Sequence, residues 1–226
     1  MSDASWPKAV LFDLDGTLID SLPDIHAALN ETMASYGEPP FTLEAVAVMV
    51  GAGVQALIER AYAALGKSID PASRDKVVAR YLSIYGPRAT ELTTLNAGAS
   101  DTLRILGEAG FQLGVVTNKP RAETDDILRH FGILERMALV VGGDAGPRKK
   151  PAPDLLLFAA QELGLEPADI LFVGDSENDV DAAKGAGMKV VALRGGYTAL
   201  GADTLGADLV VDRLDEIPGQ LHSLTA

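Results

Sequence analysis

Two aspartates stand one residue apart at the end of an apolar run in "KAVLFDLDGTLIDS", residues 8–21. Residues i and i+2 of a strand share a face, so Asp13 and Asp15 project together while Leu14 turns away. Two carboxylates this close repel unless one is protonated or a cation lies between them. Gly16 then permits a sharp bend and a close backbone approach. Taken alone, Asp15-Gly16 reads equally well as an ordinary strand-end turn. A second stretch shifts that balance. "ILFVGDSENDVDAA" (170–183) repeats the arrangement with an apolar run, a glycine, then Asp175 and Asp179, about 160 residues further on. Four carboxylates converging without cysteine or histidine suit a hard cation bound through oxygen, and Mg²⁺ fits best. Asp181 is assigned to the solvent side of the following helix.

Two further segments carry polar groups just past apolar runs. "GVVTNKP" (114–120) supplies Thr117 and Asn118, either as an N-cap and turn or as donors to an anionic oxygen. "PRKKPAPD" (147–154) gathers three cations, and solvated lysines are the usual fate of such a run. Pro151 and Pro153 nevertheless stiffen the loop that carries Lys150. A fixed ammonium in an acidic site balances the charge of a phosphate. His26, His130 and His222 have no partner at catalytic or metal-ligand spacing and read as helix-surface or packing residues. No G-x-S-x-G elbow and no P-loop pattern occurs.

The elements that must position these groups follow from apolar periodicity. Strands are expected at 9–12, 111–117, 138–142, 170–174, 189–193 and 207–211, alternating with helices, which implies a mostly parallel, doubly wound α/β sheet. Ser100 is expected to cap the helix before Gly110, and "PDLLLFAAQELG" to run from its proline to Gly164. Residues 22–88 break the rhythm, with helix following helix. Ser21 and Asp24 form a capping-box pattern leading into Ile25, Leu29, Met33 and Tyr36. Val54, Leu57, Ile58, Ala61 and Leu65 line a second face before Gly66. Asp70-Pro71 opens a third helix with Val78, Tyr81, Leu82 and Tyr85 on one side. Nearly 70 residues of helix is too much for one crossover. The expected organisation is an α/β core of residues 1–20 and 90–226 with an inserted helical lid, 21–89. The tail "DRLDEIPGQLHSLTA" reads as one last short helix.

Length and charge bound the rest. At 226 residues the chain can bury a sizeable core. A net charge of −13 argues against a nucleic-acid or anionic-membrane surface. The absence of cysteine excludes disulfides, thiolate metal sites and Cys nucleophiles. The N-terminal stretch "MSDASWPKAVLF" lacks the shape of a signal peptide, and no apolar run approaches the ~18–20 residues of a membrane span. A soluble, acidic, cytoplasmic globular protein, monomer or homodimer, is expected.

The motifs Asp13-Leu14-Asp15-Gly16-Thr17, Thr117-Asn118, Lys150-Pro151 and Gly174-Asp175 with Asp179, in this order, resemble the haloacid dehalogenase-like phosphohydrolase superfamily with a helical cap. That resemblance implies a small phosphorylated metabolite as the partner, and that Asp13 is a nucleophile forming an aspartyl phosphate. Asp15 would protonate the leaving alkoxide and then deprotonate water. Thr117 and Asn118 would hold phosphate oxygens, and Lys150 would orient nucleophile and phosphate. Mg²⁺ would be bound by the Asp13 side chain, the Asp15 carbonyl and Asp175, with Asp179 supporting through water or Lys150. Within the superfamily, "DGTLIDSLPDI" (15–25) and "MVGAGVQALIERA" (49–61) resemble bacterial phosphoglycolate phosphatases. In the second of these, Gly51 and Gly53 would lie near the substrate, unless they are only a helix-breaking turn. Arg60 and Arg88 are further candidates for a substrate carboxylate, against solvation on a helix surface. "LNAGASDTL" (95–103) departs from the family pattern, with Ala97 where a proline is expected. Other sugar or acid phosphates, pyrophosphate and a sugar phosphomutase reaction stay open. Asp15 weighs against a dehalogenase, Lys67 and Lys76 lack the apolar pocket a phosphonatase lysine needs, and the length and lid weigh against a phospho-receiver domain.

Overall fold

In the computed structural model, which describes residues 6–146 and 148–224, the run before Asp13 forms the fully buried strand β1 (Ala9–Phe12). The start of the N-terminal stretch (1–5), Pro147 at the head of the basic run and the last two residues of the tail lie outside the described residues. After β1 come β2 (Ile19–Asp20) and four helices, α1 (Leu22–Ser35), α2 (Leu43–Ala47), α3 (Val54–Ala64) and α4 (Pro71–Tyr85). The chain then returns through β3 (Thr94–Leu95), α5 (Ala99–Glu108), β4 (Gln112–Val116), α6 (Arg121–His130), β5 (Leu139–Val141) and α7 (Asp154–Leu163). It closes with β6 (Ile170–Gly174), α8 (Glu177–Ala186), β7 (Lys189–Leu193), β8 (Leu209–Val211) and α9 (Ile217–Gln220).

Six strands form one sheet in the order β5-β4-β1-β6-β7-β8, paired in parallel throughout. Each strand lies within one of the six stretches expected from the apolar runs. Both faces of the sheet are covered, which is why those runs are continuous rather than alternating. Val10 and Phe12 enter one core with Leu103, Leu106 and Ile127. Ala9 and Leu11 enter the other with Leu155, Leu156 and Val180. The first core continues into the helical segment through Leu29, Met33, Leu57 and Tyr81. Because β1 lies between β4 and β6, the loops leaving these three neighbours meet at one edge. That is where open parallel sheets bind ligands.

Local expectations hold at some helix ends and fail at others. Asp70 caps α4, accepting from Ala72 N and Ser73 N, and Gly164 ends α7 in the left-handed region. The Ser21–Asp24 capping box does not form. Ser21 precedes α1 with helical backbone angles, and its hydroxyl donates instead to Asp15 Oδ1 at 2.6 Å. Asp24 accepts from Leu92 N, Thr93 N and Thr93 Oγ1, tying the outgoing chain of the helical segment to its return. Nor is Ser100 a cap, since α5 begins at Ala99 after Gly98. Tyr36 is exposed, and the buried stripe of α4 runs through Val77, Tyr81, Ile84 and Tyr85 instead of Val78 and Leu82. The two-residue antiparallel pair β2–β3 and the short α2 were not anticipated.

Candidate active site

Asp13 directly follows β1, its N–H donating to Val173 O at 2.8 Å in the neighbouring β6. Its carboxylate is buried, and Lys150 Nζ lies 2.9 Å from Oδ1. That ion pair is close but poorly directed, because Oδ1 is a buried oxygen with no hydrogen bond aimed at it. Lys150 is fully buried and donates to Asp179 Oδ1 at 2.6 Å and to Val116 O at 3.0 Å. The other Asp179 oxygen accepts from Asp175 N, Ser176 N and Ser176 Oγ, forming a capping box at the start of α8. Asp175 accepts from Thr17 Oγ1 at 2.9 Å and from Tyr197 N at 2.7 Å. The Tyr197 phenol donates to Asp20 and accepts from Ser21 N and Leu22 N. Gly16 has φ 84°, and a Cβ there would come within 2.5 Å of Asp175 Oδ2, so the loop after β1 requires glycine.

The electrostatics of this cluster are those of three buried carboxylates around one ammonium. Burial, partly offset by Lys150, pushes Asp13 up to about 7. Asp175 is raised well above its ordinary value by burial and then by Asp179 and Asp13. Burial acts to raise Asp179 too, but the Lys150 ammonium overrides it and holds that carboxylate low. Oxygens of Asp13, Asp175 and Asp179 lie within 4.8 Å of one another. An unpaired buried oxygen on Asp13 and three clustered hard donors fit a divalent cation bound through oxygen. Asp13 and Asp175 keep lone pairs for it, whereas both Asp179 oxygens are engaged.

Asp15 turns toward other partners. Its carboxylate takes Ser21 Oγ and both-oxygen contacts from Lys119 Nζ at 2.8 and 2.9 Å. Thr117 and Asn118 line the same cavity as Asp13 and Asp15. Thr117 Oγ1 accepts from Lys119 N, which leaves the hydroxyl proton to donate. The Asn118 amide is fully committed: it donates to Gly51 O and Lys150 O and accepts from Lys150 N. Its side chain therefore braces the loops of Gly51 and Lys150, leaving only backbone for an anion. Gly51 and Gly53 line the cavity with φ 98° and 87°. A Cβ on Gly53 would sit 3.2 Å from Asn118 O, so this glycine loop lies directly on the Thr117-Asn118 turn. Arg60 donates to the carbonyls of Met49 and Val50, supporting that loop from behind, and Arg88 pairs with Glu31 and Glu91 on the surface. Lys67 pairs with Glu38.

A family model described as haloacid dehalogenase-like hydrolase matches residues 10–193. The chain belongs to this family. This haloacid dehalogenase-like hydrolase is 41% identical over 211 residues to a phosphoglycolate phosphatase of Pseudomonas putida, across 92% of this chain and 77% of that protein. It is 39% identical over 217 residues to a phosphoglycolate phosphatase of Cereibacter sphaeroides, across 96% of this chain and 99% of that one. A crystal structure described as a predicted phosphoglycolate phosphatase from Haemophilus somnus 129PT superposes with a TM-score of 0.88 at 32% identity, covering 94% of this chain and 96% of that one. Among the described residues, no helix is long and apolar enough to cross a membrane. Lys119 and Tyr197 escaped the sequence reading. Lys119 stands beside Thr117-Asn118, where a lysine at a turn carries no local signal of burial. Tyr197 had no local signal beyond following the β7 strand at the same sheet edge.

Proposed function

We propose that this hydrolase is a Mg²⁺-dependent phosphomonoesterase acting on a small phosphorylated acid, with 2-phosphoglycolate as its substrate. The reading rests most on the Asp13 carboxylate, buried beside a cavity with one oxygen undirected and an ammonium 2.9 Å away. The relatives' names add the substrate. Residues 21–89 would serve as a cap over a core of 1–20 and 90–226.

Asp13 attacks phosphorus and becomes an aspartyl phosphate. Asp15, two residues on and lining the same cavity, gives a proton to the leaving alkoxide and then takes one from the attacking water. Lys150, locked between Asp13 and Asp179, fixes the nucleophile's orientation and offsets charge on the transferring group. The Thr117 hydroxyl donates to a phosphate oxygen. Asp13, Asp175 and the Asp15 carbonyl would hold Mg²⁺, which would supply the charge neutralisation that lets a carboxylate approach a phosphate dianion. Asp179 orients Lys150 and the loop of Asp175.

The test is phosphate release with Mg²⁺ from 2-phosphoglycolate, hexose phosphates, nucleotides and pyrophosphate. A preference of about 10²-fold in kcat/KM for 2-phosphoglycolate is expected, with activity lost in EDTA and restored by Mg²⁺. Hydrolysis indifferent to chelation removes the metal from the reaction. A flat substrate profile removes the substrate.

A further inference from the structure

The cavity that holds Asp13 has further polar groups in its wall. Lys119 Nζ lies there, its side chain only 6% exposed, 4.7 Å from the centre of the Tyr85 ring. An ammonium has three donors, and the Asp15 carboxylate accounts for two of them. Tyr85, on α4, is 2% exposed, and its hydroxyl has no hydrogen-bond partner. Burial holds that phenol well above its ordinary value, so it remains a donor. Glu123 Oε2, from the first turn of α6, is likewise buried without a partner in the same cavity. Buried polar atoms left unpaired are costly, so an acceptor on the ligand that meets the Tyr85 hydroxyl gains correspondingly, whereas Glu123, itself an acceptor, gains nothing from an anion. Apolar side chains, Ile25, Leu57 and Tyr81 among them, complete the wall.

We propose that Lys119 and Tyr85 form a subsite for a carboxylate on the non-transferred part of the substrate, and that Glu123 restricts that part to a single negative charge. The proposal rests on the phosphatase reading above. In that reading Asp15 protonates the bridging ester oxygen, and Lys119 is bound to Asp15. A carboxylate one carbon beyond the bridging oxygen is therefore within reach of the ammonium and the phenol. Lys119 is the one cation among the described residues that line the cavity, which also holds the carboxylates of Asp13, Asp15 and Glu123; its ion pair is with Asp15. With Asp15 protonated, as the first half-reaction requires, the ammonium can pair with a carboxylate monoanion, while repulsion from Glu123 grows with the ligand's charge and disfavours a second phosphate dianion. The substrates selected are short acids phosphorylated on the carbon next to the carboxylate.

The experiment compares kcat/KM for 2-phosphoglycolate with that for ethyl phosphate, which has the same length and no carboxylate. The ratio is the readout, since Lys119 also touches Asp15 and absolute rates will move. Lys119→Met lowers the ratio about 10- to 100-fold, chiefly through KM for the acid. Lys119→Arg retains part of it, and Tyr85→Phe lowers it several-fold. Both substrates falling together in Lys119→Met, at constant ratio, would mean that Lys119 serves only Asp15, and the subsite would be wrong while the phosphatase reading stands. A wild type without preference between the two substrates overturns the assigned substrate itself. Calorimetric binding of both compounds with Mg²⁺ in Asp13→Asn, with and without Lys119→Met, reads the same ratio if turnover is too slow. Glu123→Gln raises the relative rate on ethylene glycol bisphosphate, and no change there removes Glu123 from the selection.

Discussion

Asp13 and Asp15 are two residues apart, yet the fold gives them opposite surroundings. Asp13 sits against a buried ammonium and two other buried carboxylates, whereas Asp15 joins Ser21 and Lys119 at the cavity wall. That division fits one group for bond formation and one for proton transfer. Replacing Asp13 by Asn preserves its shape and removes its nucleophilicity, so phosphate release falls by at least roughly 10⁴-fold while the far-UV spectrum and substrate binding persist. Wild-type turnover by that variant would displace the nucleophile to another residue. The carboxylates were legible because acids at the ends of apolar runs have few structural reasons to be there. Lys119 was harder to read. A lysine beside a turn is usually solvated, and only the parallel neighbours β1 and β4 bring it against Asp15. Asn118 was legible as a polar group past a strand but not as a brace, since nothing local to it reveals that Gly51 and Lys150 consume its amide.

At the level of elements, strands buried on both faces announce themselves as unbroken apolar runs, and all six were placed from sequence. Helix caps were less secure, because a hydroxyl near a helix start also answers to tertiary partners. Ser21 was lost to Asp15, and Asp24 to the returning chain at Leu92 and Thr93. The β2–β3 pair is too short for periodicity to report. Asp70 shows the local rule at work, with no competing partner to draw it off. The side chain and backbone of Ser73, then the backbone of Ala72, hold its carboxylate below the ordinary 3.8. A depressed folded-state pKa contributes stability above the unfolded value and loses it as pH falls through the folded one. Asp70→Ala should therefore lower the melting temperature at pH 7, and its gap from wild type should close below pH 3.8. A gap that persists unchanged in acid would mean the cap works without its charge.

For the molecule as a whole, an ion held by the buried acids would make folding and ion binding a single balance. Three carboxylates share a pocket with one fully buried lysine, so an ion that binds only the folded state stabilises it by mass action. At 100 times its dissociation constant, Mg²⁺ contributes about 2.7 kcal/mol, a rise of roughly 5–10 °C in melting temperature over the EDTA-treated protein for a chain of this size. Asp175→Asn abolishes most of that rise, and an equal rise in both proteins would locate the ion elsewhere. Tyr197 carries a consequence of its own. Its amide steadies Asp175, and its phenol grips the chain where it leaves the sheet for α1. One side chain thus ties the loop of Asp175 to the point where the chain departs for the helical segment, so Tyr197→Phe, which removes only the phenol hydroxyl, would loosen that departure while leaving the amide on Asp175 in place.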